Sequence, residues 1–254
     1  MINLEELIAA AFMVGMRVTG LLLFAPVLGN QSVPVNIKAM LALGLTALLY
    51  PAVARSHAQL NWTQLPKLAI SELLVGLLLG LAVNCVFDAL QLAGHSLGVQ
   101  MGFSLASLID SQTQADTPVL SVFYQTMALL IFLRLDVHFW LLRGLARSFE
   151  YLPPGSATLH GAATELMLRQ ASAIWFCGVQ IAAPVLAATM IADFVLAFVG
   201  RASPQLPVMF IGLSVKTILG LFVAIATISL WPGMLERYYA QALTAGETAL
   251  HLIR

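Results

Sequence analysis

The amino-acid sequence predicts an all-α integral membrane protein of about six long apolar helices. Three observations point there. Hydrophobic residues make up 60% of the chain and charged ones 9%, with a mean hydropathy of +0.90; a soluble domain carries about 25% charged residues. Apolar runs near the ~20 residues that a bilayer core requires recur over residues 7–28, 37–54, 68–93, 119–141, 171–199 and 207–231. Two of them are too long for a simple bundle. Residues 68–99 hold no proline, lysine or arginine, so a continuous helix there extends ~48 Å against a hydrocarbon core of ~30 Å. The 254 residues read most simply as one membrane domain, 1–254.

The elements follow in chain order. The start, with Glu5 and Glu6 and no basic segment, is not that of a cleaved secretory signal, so the first apolar run stays in the mature chain. The second run is short and contains Pro51, and a polar link over 55–66 leads into the third. Between the fourth and fifth runs lie an amphipathic stretch, 137–150, and a loop at Leu152, Pro153, Pro154 and Gly155. The fifth run carries Pro184, which predicts a kink. Residues 234–254 place Leu235, Tyr238, Ala242, Ala249 and Ile253 at helical spacing beside Glu236, Arg237 and Glu247; this is an amphipathic helix for a membrane surface or a partner.

Residues 98–133 are the most distinctive stretch. Small residues (Gly98, Gly102, Ser104, Ala106, Ser107) lead into a polar loop, 110–117, without lysine or arginine, and Pro118 then opens a new apolar segment. Irregular backbone at membrane depth survives only against protein or water, so this loop is expected to be surrounded by protein. Most basic residues outside the runs (Arg55, Lys67, Arg134, Arg143, Arg147, Arg169, Arg237, Arg254) fall on the side of the termini, against Lys38 and Arg201 on the other. The positive-inside rule therefore places both termini in the cytoplasm and loop 102–118 on the far side.

Six charges lie within or beside the runs: Arg17, Lys38, Glu72, Asp88, Asp193 and Lys216. Each costs about 2.5–3.5 kcal/mol at mid-bilayer, so six unpaired charges cost ~15–20 kcal/mol, as much as a whole fold's stability. They must pair, face water or enter a subunit interface; an ion pathway and structural pairing both satisfy that demand. Glycines four apart (Gly76 and Gly80; Gly94, Gly98 and Gly102; Gly212 and, around Lys216, Gly220) point to close helix–helix approach.

Recognisable catalytic chemistry is missing. The G-x-S-x-G of Gly94, Ser96 and Gly98 needs a strand-to-helix turn to work as a nucleophile elbow, and it lies inside an apolar helical run. The five histidines show no metal-binding spacing, and neither a Walker A loop nor a dinucleotide fingerprint is present. No cofactor and no metal is expected, and the chain is not expected to be an enzyme. Zero net charge leaves no basic face for nucleic acid. Cys85 and Cys177 sit in apolar runs as small core residues.

Several blocks, in order, carry a family resemblance: Arg17 with Ala25 and Pro26; Pro34 with Lys38; the GVQMGFS segment with Asp110 and Pro118; Leu152 to Gly155; and Asp193 followed by Arg201, Ala202, Ser203, Pro204, Gln205, Leu206 and Lys216. Together they make the chain resemble the FliR/SctT family of type III secretion export-gate subunits, and GVQMGFS is closer to the flagellar branch. The resemblance implies a non-enzymatic subunit with a FliP-like part joined to a FliQ-like part, in kinked hairpins raised partly above the membrane. It implies FliP and FliQ as partners, FlhB and FlhA nearby, unfolded flagellar proteins as substrates, and a place in the bacterial inner membrane at the flagellar basal body. The family's plug falls on 102–118, with Gly102, Phe103, Ser104, Leu105, Leu108, Ile109 and Asp110 as the closure, the apolar members excluding water. Pro26, Pro34, Pro204, Gln205 and Leu206 become motif or partner contacts. Ser203 stands where alanine is usual and Asp193 where some members have asparagine, which argues against an obligatory proton-carrying role for Asp193 and leaves Asp193 and Arg201 as structural polar contacts. The alternative from another class is a proton-coupled transporter of a small solute using Asp88 and Asp193, whose signature would be repeated halves with broken helices.

Overall fold

The computed structural model describes residues 4–26, 29, 33–53, 65–103, 119–153, 161–203, 205 and 207–252. Among them the secondary structure is entirely helical: α1 (Leu4–Phe24), α2 (Val35–Val53), α3 (Leu65–Gln100), α4 (Val119–Arg134), α5 (Val137–Tyr151), α6 (Gly161–Ala202), α7 (Val208–Thr227), a 3-10 turn (Ile228–Leu230) and α8 (Trp231–Leu252). The all-α class read from composition and run length is the observed one.

Helix lengths follow from what interrupts the sequence. With no charge other than Glu72 and Asp88 beyond its first turn, α3 continues for 36 residues, ~54 Å at 1.5 Å per residue. A stripe at Val75, Leu78, Leu79, Ala82, Val86, Leu90, Ala93 and Leu97 is covered along its length, and the middle of the helix is buried on further faces through Val83, Cys85, Phe87 and Ala89. The 42 residues of α6 run through Pro184 and start ten residues before the expected apolar run.

The fourth run departs from expectation. Rather than one span over 119–141, α4 ends at Arg134 and α5 begins at Val137. Asp136 between them has φ 53°, a left-handed conformation that aspartate tolerates better than most residues. Its carbonyl then accepts the first turn's hydrogen bond from the Phe139 N–H at 2.9 Å. Beyond the break α5 is amphipathic, burying Val137, Leu141, Leu145 and Phe149 and exposing Arg143, Arg147 and Glu150.

Among the described residues three helical runs are long and apolar enough to cross a membrane, Leu65–Gln100, Ser172–Ala202 and Phe210–Thr248, and the broken pair α4–α5 makes a fourth if counted as one. The first two expected spans appear as shorter apolar helices, Ile8–Phe24 and Val35–Pro51.

The chain divides into two compact units. The first takes residues 1–86, 132–172 and 238–254. Within it α1 packs on α2 and meets α3 backbone to backbone. A Cβ on Gly76 would overlap the Arg17 carbonyl oxygen, one on Gly20 the Leu73 carbonyl, and one on Gly80 would come to 2.7 Å from the Leu21 carbonyl. The second unit takes 87–131 and 173–237. There Gly94 leaves no room against Ser121 and Leu120 of α4, Gly178 lies on the Ala89 carbonyl, and the Tyr124 ring packs on Trp231 at 4.6 Å. Small residues set the helix spacing in both units, as their periodicity suggested.

Candidate functional site

Two polar stations are built into these apolar helices, one in each unit. In the first, Arg17 of α1 is wholly buried. Its Nε donates to Glu72 Oε2 at 2.6 Å, one terminal nitrogen to Ser148 Oγ at 3.0 Å and the other to the Leu152 carbonyl at 3.0 Å. The guanidinium carbon lies 4.2 Å from the centroid of the Phe149 ring, a favourable cation–π approach. Both partners of the ion pair have side chains 0% exposed. The station thus ties α1 and α3 to the far end of α5, where the Leu152 carbonyl would otherwise be an unpaired helix end.

The second station lies where α3 ends. Asp193 of α6 accepts a salt bridge from Lys216 Nζ of α7 at 2.9 Å and a hydrogen bond from Gln100 Nε2 at 3.0 Å. These side chains are partly open, Lys216 19% and Asp193 46% exposed, unlike the fully enclosed pair of Arg17 and Glu72.

Gln100 is the last residue of α3, and the three residues after it shape the entry to loop 102–118. The Phe103 N–H bonds the Gly98 carbonyl at 2.9 Å and the Gly102 N–H bonds the Val99 carbonyl at 3.1 Å, the paired bonds of a Schellman cap. Gly102 has φ 85°, which explains a glycine at this position. The Met101 carbonyl, at the helix end, shares the Thr217 hydroxyl hydrogen (3.0 Å) with the Leu213 carbonyl (2.8 Å). The Met101 side chain sits against Gly220, where a Cβ would come to 2.7–3.0 Å. The last described residues before the loop are therefore fastened to α7 by a hydrogen bond, a sulfur contact and the Asp193 network.

Of the expected site residues, the structure brings together Arg17 with Glu72 and Asp193 with Lys216. Lys38 donates to the Gly29 carbonyl at 3.3 Å, joining the start of α2 to the turn after α1. Asp88 is half-buried in α3, and Arg201 is exposed in the last turn of α6, where a cation complements the helix dipole. Pro26 is buried after α1, Pro34 exposed just before α2, and Gln205 exposed in a turn. Gly102 and Phe103 are half-buried; Ser104, Leu105, Leu108, Ile109, Asp110, Pro204 and Leu206 lie outside the described residues. Sequence reasoning missed Ser148, Phe149, Gln100, Met101 and Thr217. Only Gln100 carried a signal, as a lone amide between two glycines of the stripe. The serine of the G-x-S-x-G, Ser96, donates to the Leu92 carbonyl at 2.9 Å within α3 and stands on no turn.

Long apolar helices held by internal ion pairs and glycine contacts define a helical membrane protein. The family can be stated directly: the chain belongs to the bacterial export proteins, family 1, whose model matches residues 8–242. It is 29% identical over 226 residues to the flagellar biosynthetic protein FliR of Escherichia coli (strain K12), covering 89% of this chain and 87% of that one. FliR of Bacillus subtilis (strain 168) is 30% identical over 230 residues, 89% of each chain, and FliR of Aquifex aeolicus (strain VF5) 29% identical over 228 residues, 89% and 88%. The resemblance read from the motif blocks agrees with these matches.

Proposed function

We propose that this chain is a non-catalytic core subunit of the flagellar type III protein export gate. In this reading it joins FliP and FliQ, with FlhB and FlhA adjacent, in the bacterial inner membrane at the basal body. Loop 102–118 plugs the pore until an unfolded substrate arrives. The observation that carries the assembly is a mismatch. α6 has 42 residues, ~63 Å of helix against a ~30 Å hydrocarbon core, and its outer face keeps Phe176 71%, Phe194 65% and Phe198 71% exposed. Lipid covers only part of such a face, and neighbouring protein must cover the rest. The rigid fastening at Met101 and Gly102 supports the plug, because a closure element needs a fixed root. Asp193 and Lys216 serve in this reading to hold that root, with Pro26, Pro34, Pro204, Gln205 and Leu206 in packing or partner contacts.

Deleting residues 106–116 tests the plug. The gate should still assemble with FliP and FliQ, while the membrane becomes leaky to small ions. Intact assembly with unchanged conductance overturns the plug.

A further inference from the structure

The first unit holds a groove that the gate reading leaves unused. Trp140, Arg143, Gly144 and Arg147 of α5 line one wall, and Ala240, Leu243, Thr244 and Glu247 of α8 the other, around about 280 Å³. Arg143 and Arg147 are one helical turn apart on the same face, where like charges repel. Both are exposed, and no ion pair holds either among the described residues. Glu247 is the single carboxylate in the lining, so the groove has a positive excess. Trp140 is 37% exposed at its edge, the kind of side chain that settles at a membrane–water interface. The α8 wall belongs to the amphipathic helix that follows the apolar run 207–231, the kind of helix that lies along a membrane surface.

We propose that this groove binds the headgroup of an anionic phospholipid. The two guanidiniums clamp the phosphodiester, since arginine matches phosphate geometry through paired N–H donors. Leu243 and Ala240 meet the start of the acyl chains, and Glu247 accepts from a headgroup hydroxyl. An anionic headgroup is the lipid chemistry that complements the positive excess of this lining.

The assembled complex, purified by co-expression with FliP and FliQ, is the material for the test. It is exchanged against vesicles of phosphatidylcholine alone or mixed with phosphatidylglycerol, and retained lipid is read by native mass spectrometry. Wild type should retain phosphatidylglycerol selectively. R143Q/R147Q should weaken retention by roughly thirtyfold, from about 1 kcal/mol per basic residue. R143K/R147K, which keeps the charges but not the paired donors, should restore only part of it, and R237Q, outside the groove, should leave it unchanged. Equal retention in R143Q/R147Q overturns the proposal, as does equal retention of phosphatidylcholine. Binding of inorganic phosphate without lipid selectivity, or an acidic segment of a partner subunit cross-linked in the groove, also overturns it. Failure of the wild-type chain to form the complex counts against the gate reading and not against the groove, because lipid retention is then compared between wild type and R143Q/R147Q in the membranes that hold the chain.

Discussion

Arg17 shows what a single charge demands inside such a protein. With its side chain and that of Glu72 wholly buried, removing one partner strands the other, which costs about 3–5 kcal/mol. E72A is therefore expected to lower the midpoint of denaturant unfolding sharply, whereas R17M/E72L, which removes both charges, should restore most of the loss. A double variant as unstable as E72A would show that the ion pair is not what matters. The sequence identified Arg17 and Glu72 as costly but could not pair them. They are 55 residues apart, and the other two acceptors, Ser148 and the Leu152 carbonyl, lie 131 and 135 residues from Arg17. Nothing about a serine in an amphipathic stretch announces such a role. Glycines allow a parallel contrast. G76A should destabilise because its Cβ meets helix backbone, while G233A, with open space around it, should be neutral or gain about 0.5–1 kcal/mol from helix propensity. Thermal unfolding of the two variants separates packing from propensity.

At the scale of elements, the length of α3 was legible because nothing in 68–99 stops a helix, and the amphipathic segments α5 and α8 were legible from their apolar spacing. The break at Asp136 was not, since an aspartate in a left-handed turn looks like one more polar residue at the end of a run. The early start of α6 was also hidden: residues 161–170 are helix-compatible but not apolar, and hydropathy alone leaves them out. The end of α3 gives an element-scale prediction. T217V removes the hydroxyl shared by Met101 and Leu213 and should cost about 1 kcal/mol. K216A, whose ion pair with Asp193 is part-exposed, should cost less than E72A, which strands a wholly enclosed arginine. If K216A instead matched E72A in cost, the difference in burial between the two stations would have no energetic meaning. G102A should add strain of about 1–2 kcal/mol at its positive φ, seen as faster proteolysis at the end of α3.

For the whole molecule, the decisive fact is unmet apolar surface on helices longer than a bilayer is thick. Phe176, Phe198 and Phe222 are each 71% exposed, and α6 and α7 keep such residues along most of their length. In the proposed gate these faces meet lipid over the depth of a bilayer and neighbouring subunits beyond it. The overshoot was legible early, in runs longer than a membrane is thick and in charges that no single helix can satisfy; the covering subunits proposed for it come only from the family's motif blocks. The most direct test is the mass of what the chain forms, alone and when co-expressed with FliP and FliQ. The account predicts an unstable, aggregating polypeptide alone and a discrete complex of higher mass containing all three proteins. A monodisperse, folded chain that ignores FliP and FliQ would contradict it.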